Sequence, residues 1–296
     1  MAATKSTIPR FLQINKNSSL SQKMMVVGLA LTLFFIFIAF FAPVFQWVGI
    51  IQNPTDSLIN PIHEPPSGKY WFGTSRQGYD VFARSLFGAQ AALQVVFLAT
   101  ALSMVVGVPL GMLSGYLGGK LDKMFLFIMD SIYTLPGMLL SVTLAFVVGK
   151  GILNAALAIS IAYIPQYYRV VRNHTVSVKT EVFIEAAQAM GANTWQILSK
   201  YLFFNVIQSV PVLFTLNAAD AILVLGGLGF LGLGLPDEVP EWGYDLRQAL
   251  EALPTGIWWT ALFPGLAMTL MVVGLSLLGE GLNDFVNPRL RKQIRG

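Results

Sequence analysis

The chain has 296 residues, 55% of them hydrophobic and 11% charged, with a net charge of +4 and a mean hydropathy of +0.64. Soluble domains carry about 25% charged residues, so this composition excludes a soluble globular protein and points to a chain built for lipid. There is no cysteine, which excludes disulfides, thiolate metal sites and a cysteine nucleophile.

Residues 1–23 are polar and lack apolar periodicity; they read as a cytoplasmic tail. An apolar run of about 20 residues crosses a hydrocarbon core as a helix. Six runs qualify, near 24–42, 89–115, 124–149, 152–168, 206–233 and 258–279. The first is longer than the apolar stretch of a secretory signal, and no small-x-small cleavage site follows it, so it reads as a retained span. A long outer loop follows over 43–88, where Pro43, Pro54, Pro61, Pro65 and Pro66 imply extended or turning backbone rather than a packed domain. At its end GYDVFARSLFGAQAAL reads as a short amphipathic helix running into the second span.

Within that span Gly107, Gly111, Gly115 and Gly119 recur every four residues, a smooth stripe against which another helix can pack closely. Pro109, Pro136, Pro165, Pro211 and Pro264 interrupt the apolar runs, and each frees backbone groups that neighbours or a water-lined cavity must satisfy. Asp130 and Asp220 also fall inside spans. An ionisable group there suggests a pore lining or a proton relay, or else a carboxylate near a span end or one satisfied by a neighbouring helix. Asp130, Tyr133, Asn217 and Asp220 are the residues expected to line a pathway.

Between the fourth and fifth runs lies EVFIEAAQAMGANTWQILSKYLFFN, residues 181–205. Phe183, Ala186, Ala187 and Met190 follow i, i+3, i+4, i+7 spacing, one apolar helix face, with Glu185 and Gln188 off it. Gly191 stands where a helix ends in a left-handed residue. Asn193 precedes Gln196 by three, the spacing of a capping box that starts a second helix. Further on, GLGFLG at 227–232 matches the glycine pattern of a dinucleotide loop but ends an apolar run, without the strand–turn–helix context that loop needs. No phosphate-binding G-x-x-x-x-G-K-[ST] occurs, and neither H-E-x-x-H nor G-x-S-x-G is present. The outer loop over 234–257 carries five acids and one base, suited either to meeting a partner or simply to solvation.

The basic residues fix the orientation. The segments before the first span, between the second and third, between the fourth and fifth, and after the last hold fourteen Lys and Arg, against five on the other side. By the positive-inside rule both termini are cytoplasmic, which places His63 and His174 on opposite sides of the membrane.

EAAQAMG resembles the E-A-A-x-x-x-G motif of permease subunits of binding-protein-dependent ABC importers, and GANTWQILSKYLFFN continues that family's pattern. WFGTSRQGYDVFARSLFGAQAAL, LGFLGLGLPDEVPEWG and LLGEGLNDFVNPRLR are similar to stretches of its dipeptide, oligopeptide and nickel class. Ser75, Tyr79, Phe204, Glu280 and Asn287 depart from those patterns. The resemblance implies an all-α type I permease bundle of six transmembrane helices in a bacterial inner membrane. The first span and outer loop cover 24–88, and a five-helix core covers 89–292 with a coupling loop at 171–205, before a short tail at 293–296. It further implies that Glu185, Ala186, Ala187 and Gly191 dock on a separate ATP-hydrolysing subunit. The partners would be a second, homologous permease, two ATP-binding subunits and an extracytoplasmic solute-binding protein. The chain would bind no cofactor, ATP and magnesium residing on the partner subunits, and would not be an enzyme. With no cysteine and only two histidines, peptide cargo fits better than nickel. A proton-coupled carrier using Asp130 and Asp220 is the alternative from a different class.

Overall fold

The structure, a computed structural model, describes residues 20–286, the side chains of Phe285 and Val286 excepted. Most of the expected N-terminal tail, the C-terminal tail and the departure at Asn287 lie outside the described residues. Among the described residues nine helices follow in order, besides a 3-10 turn at Leu253–Thr255: α1 Leu20–Trp47, α2 Val81–Leu117, α3 Gly119–Tyr133, α4 Gly137–Val148, α5 Ile152–Val178, α6 Val182–Ala189, α7 Thr194–Phe230, α8 Trp242–Ala252 and α9 Trp259–Val286. Among the described residues β structure is confined to one isolated bridge, between Thr74 and Asp80. Lipid offers no partners for backbone N–H and C=O groups, so apolar runs of this length close their hydrogen bonds internally as helices. By length and apolarity α1, α2, α7 and α9 can each cross a membrane, and α3 with α4 adds a fifth span if the bent pair counts as one. The fourth expected span is α5, whose C-terminal half carries Arg169 and Arg172; those two residues sit on a helix rather than in a loop.

Two expectations change at α2 and α3. The short amphipathic helix and the second span are one helix of 37 residues, capped by Asp80, whose Oδ1 accepts from Phe82 N at 3.0 Å. At 1.5 Å per residue α2 is about 55 Å long, longer than a hydrocarbon core of ~30 Å. The third expected span is broken: α3 and α4 meet at 86° across residues 134–136. Pro136 lacks an N–H and disfavours helical geometry at Leu135, which is sufficient cause.

The glycine stripe sets the closest helix pair. A Cβ on Gly107 would lie 2.6 Å from Tyr167 Cβ, one on Gly111 2.6 Å from the Tyr168 carbonyl oxygen, and one on Gly115 2.8 Å from that of Arg172. Only glycine lets α2 and α5 approach so far. Gly119, the fourth in the series, instead opens α3 at φ +64° and faces nothing within 4 Å. A second glycine seam, which the spacing in one run does not reveal, joins α1 to α9, where a Cβ on Gly281 would lie 2.4 Å from Met25 Cβ.

The loop expected over 43–88 is shorter, since 43–47, with Pro43, end α1 and 81–88 open α2; between them the chain is irregular but packed, contrary to expectation. Thr74, Tyr70 and Ile51 within it are buried. Trp259 Nε1 donates to the Thr74 carbonyl at 3.1 Å, Asn60 Nδ2 to that of Gly78 at 2.9 Å, and Arg76 is ion-paired with Glu251. The acidic outer loop is not simply solvated either, since it folds the amphipathic helix α8.

Candidate functional site

The interval between α5 and α7 is almost wholly ordered. α6 is capped at its C-terminus by Met190, and Gly191 then adopts φ +86°, a conformation that an L side chain enters only under strain. Asn193 and Gln196 form the expected capping box: Asn193 Oδ1 accepts from Gln196 N, and Gln196 Oε1 accepts from Asn193 N, both at 2.9 Å. The second short helix does not stop, however. α7 climbs through a π-helical turn at Ile197–Leu202 and a tighter 3-10 turn at Ile207–Ser209 into the regular stretch Val210–Phe230. Pro211 opens that stretch, where a missing N–H costs least. Phe204, unlike a proline, places no ring against the preceding turn, and the helix passes through it.

The expected apolar face of α6 is turned. Ile184 and Ala187 are fully buried against the bundle, whereas Phe183 is 41%, Met190 77% and nearby Trp195 75% exposed. Glu185, Ala186 and Gly191 are exposed with them. Of the four residues expected to dock, three share the open side, and Ala187 seats α6 on its own subunit. The inward role of Ile184 was missed; an eight-residue helix is too short for periodicity to say which of two apolar arcs packs. Gln188 Nε2 donates to the Tyr116 hydroxyl at 3.3 Å, and Lys179 Nζ to the Gly115 carbonyl at 2.8 Å. Alongside, Arg172 grips Asp122 through Nε and Nη2 at 2.7 and 2.6 Å, with Ser114 Oγ donating to the same carboxylate at 2.5 Å. These bonds clamp α6 and its approach to α2, α3 and α5.

A second feature lies on the opposite flank of α5. The α3–α4 elbow, α5 and α7 enclose a cleft of ≈ 620 Å³ lined by Tyr133, Thr134, Tyr163, Gln166 and Asp220 among apolar neighbours. Asp220 is exposed to it and accepts from the Tyr163 hydroxyl at 2.7 Å. Asp130 is one turn before the elbow, ion-paired with Arg169 at 2.7 Å, and the Arg169 guanidinium stacks 4.0 Å over the Tyr133 ring. Asn217 is buried beside Tyr167 and does not line the cleft. Of the four residues expected on a pathway, Tyr133 and Asp220 therefore meet, Asp130 sits at the rim and Asn217 packs inside. Tyr163 and Gln166 were missed, although their spacing of three, continued by Arg169 and Arg172, marks a polar stripe on α5.

Beside the acidic loop the glycine run GLGFLG has a packing function. It ends α7 beneath α8, where a Cβ on Gly229 would collide with the Glu241 carboxylate and one on Gly243 would lie 2.0 Å from the Gly226 carbonyl. Glu241 caps α8, accepting from Gly243 N and Tyr244 N at 2.8 Å each, and burial pushes its carboxyl up to about 7. Arg84, buried in the first turn of α2, donates to Asp245 at 2.8 Å and to the Pro54 carbonyl at 3.3 Å, with Tyr79 stacked on its guanidinium at 4.5 Å. Tyr79, one of the departures from the family pattern, thus holds an arginine in place.

The pattern of a family described as "Binding-protein-dependent transport system inner membrane component" matches residues 107–292, more than half of the chain. Three curated relatives are similar over most of their length. The dipeptide transport system permease protein DppC of Alkalihalophilus pseudofirmus is 36% identical over 285 residues, 95% of this chain and 89% of that protein. The glutathione transport system permease protein GsiD of Pectobacterium atrosepticum is 35% identical over 230 residues, 78% and 76% of the two chains. The oligopeptide transport system permease protein OppC of Bacillus subtilis is 33% identical over 272 residues, 92% and 88%. A match across more than half of the chain, joined to identities of this size over nearly its whole length, leaves one placement: the chain belongs to the inner-membrane permease components of binding-protein-dependent transport systems.

Proposed function

We propose that the chain forms half of the translocation pathway of an ATP-driven importer of peptides. The relatives' dipeptide, glutathione and oligopeptide names support the cargo class. In this reading the membrane is crossed six times, by α1, α2, the bent pair α3–α4, α5, α7 and α9, with both termini in the cytoplasm. A second, homologous permease covers the open side of the cleft, two subunits that bind ATP and magnesium sit below, and an extracytoplasmic solute-binding protein delivers cargo from above. The chain itself makes and breaks no covalent bond.

The observation that carries the reading is the ordered α6, with Glu185, Ala186 and Met190 exposed, lying at the foot of the continuous helix α7. A partner pushing on α6 acts on a lever whose other arm, at Asp220, lines the cleft. Movement of such a rigid element is how a small change at one interface becomes a change of access elsewhere. The docking residues are then Glu185, Ala186 and Gly191 on the open side, with Ala187 fixing the helix from behind. Tyr133 and Asp220 line the pathway, and Gly107, Gly111 and Gly115 join α2 and α5 into one moving body. A proton-driven carrier is less well supported, because Asp130 is ion-paired with Arg169 and lies outside the cleft that Asp220 faces.

The test is uptake of a labelled dipeptide by proteoliposomes holding the whole assembly. ATP inside the subunits' compartment is expected to drive uptake and a proton gradient alone is not. Glu185→Lys and Gly191→Pro are expected to reduce uptake at least tenfold while leaving the chain in the membrane. Uptake at the unmodified rate in both variants, or uptake driven by protons without ATP, would sink the proposal.

A further inference from the structure

We infer that Asp220, with Tyr163 and Gln166 beside it, holds the protonated amino group of the cargo as it crosses the membrane. The inference rests on the permease reading above and adds the chemical group that the pathway recognises.

Asp220 is the eleventh residue of the regular stretch Val210–Phe230, so it lies about 15 Å from either end of that stretch. A carboxylate at such depth is costly unless something compensates it. Asp122 and Asp130 each have an arginine, whereas the polar contact that the structure gives Asp220 is the neutral Tyr163 hydroxyl. The acid is also exposed to the cleft rather than packed away. It is thus held in position by its neighbour and open on its other side.

The cleft wall supplies an independent sign that this depth is meant to be polar. Residues 134–136 are non-helical and line the cleft, and irregular backbone within a membrane is tolerated where it faces protein or a water-filled cavity. A volume of ≈ 620 Å³ falls among ligand pockets, which run to about 300–1,000 Å³. Leu135, Met138 and Leu223 offer apolar wall to a side chain, and the Gln166 amide offers a hydrogen-bonding group to a peptide bond.

Charge selects the ligand class. Among the lining residues there is one acid and no base, and the Asp130–Arg169 pair at the rim is neutral as a unit. The cleft therefore favours a cation over an anion. Among the described residues no three His, Cys, Asp or Glu side chains converge to hold a metal ion, and a lone carboxylate is too poor a donor set for a transition metal. An organic ammonium needs only one carboxylate and a hydroxyl. Contact with a single exposed acid is also weak enough to release, as passage requires.

The test uses the complete assembly in proteoliposomes with labelled dialanine as cargo, comparing the unmodified chain with Asp220→Asn and Asp220→Glu at pH 7 and pH 9. Asp220→Asn is expected to lower uptake at least tenfold at pH 7 while ATP hydrolysis stimulated by the loaded binding protein stays within twofold; Asp220→Glu should restore most of the uptake. The α-amino group loses its proton near pH 8, so the ratio of unmodified to Asp220→Asn uptake should shrink toward unity at pH 9, a ratio that cancels any pH effect on the binding protein. Unchanged uptake in Asp220→Asn, a ratio independent of pH, or joint loss of assembly and ATP hydrolysis would each overturn the assignment while leaving the permease reading intact. Failure of the unmodified assembly to import dialanine or to hydrolyse ATP would overturn both.

Discussion

Single residues here act mainly by how closely they let helices approach. Gly111 faces the Tyr168 carbonyl with no room for a methyl group, and overpacking of this kind costs about 1–3 kcal/mol. Gly111→Val should lower the thermal unfolding midpoint in detergent, whereas Gly119→Ala, with nothing near it, should lower it only through backbone strain at its positive φ. Glu241 gives a pH signature. Its carboxyl is raised to about 7 from 4.5, chiefly by burial. A raised acid binds its proton more tightly in the folded chain, so its stabilising contribution is greatest below the unfolded value and fades as pH rises through about 7. Melts should thus show stability falling between pH 5 and pH 8, and Glu241→Gln should flatten the slope. Asp245, raised by burial in spite of Arg84, contributes in the same direction.

At the scale of elements, legibility followed the length over which a pattern repeats. The glycine stripe runs through just over two turns of α2, from Gly107 to Gly115, and marked a packing face though not its partner, and the capping box at Asn193 and Gln196 was readable because it depends on two residues three apart. The α3–α4 elbow was not, since Pro136 alone cannot distinguish a kink from an 86° break; Pro109, Pro165 and Pro264 lie inside helices that continue. The continuity of α7 through Phe204 was hidden for the converse reason: two helix starts were visible and no stop lay between them. The capping box invites a direct check. Asn193→Ala should remove about 1 kcal/mol of local stability and loosen the foot of α7, read as faster amide exchange over residues 194–202 and weaker coupling of ATP hydrolysis to uptake. At the start of α2, Arg84→Leu strands Asp245 in a buried setting and should cost about 3–5 kcal/mol. The paired Arg84→Met, Asp245→Leu chain should melt closer to the unmodified one, because the cost of a broken buried pair lies largely in the orphaned charge.

For the whole molecule, composition announced a membrane protein and the motifs announced its family, but the candidate site was only half legible. Asp220 and Tyr133 were visible as polar residues in apolar runs. Their partners Tyr163 and Gln166 lie on a different helix, α5, where their spacing marks a polar stripe, but that this stripe faces Asp220 and the elbow is a three-dimensional fact that no local spacing gives. The same holds for the packed outer loop, whose order depends on Trp259 and Arg84, remote from it in sequence or on a different element.

The central claim is that energy enters through the open side of α6 and leaves through α7. Because the chain contains no cysteine, single cysteines placed on α6 report this contact cleanly. In the reconstituted assembly, Ala186→Cys should cross-link to an ATP-binding subunit, with a yield that changes when nucleotide is added, whereas Ala187→Cys, fully buried on its own subunit, should not. Equal cross-linking at the two positions, or none at Ala186 in an assembly that still imports peptide at the expense of ATP, would contradict the account.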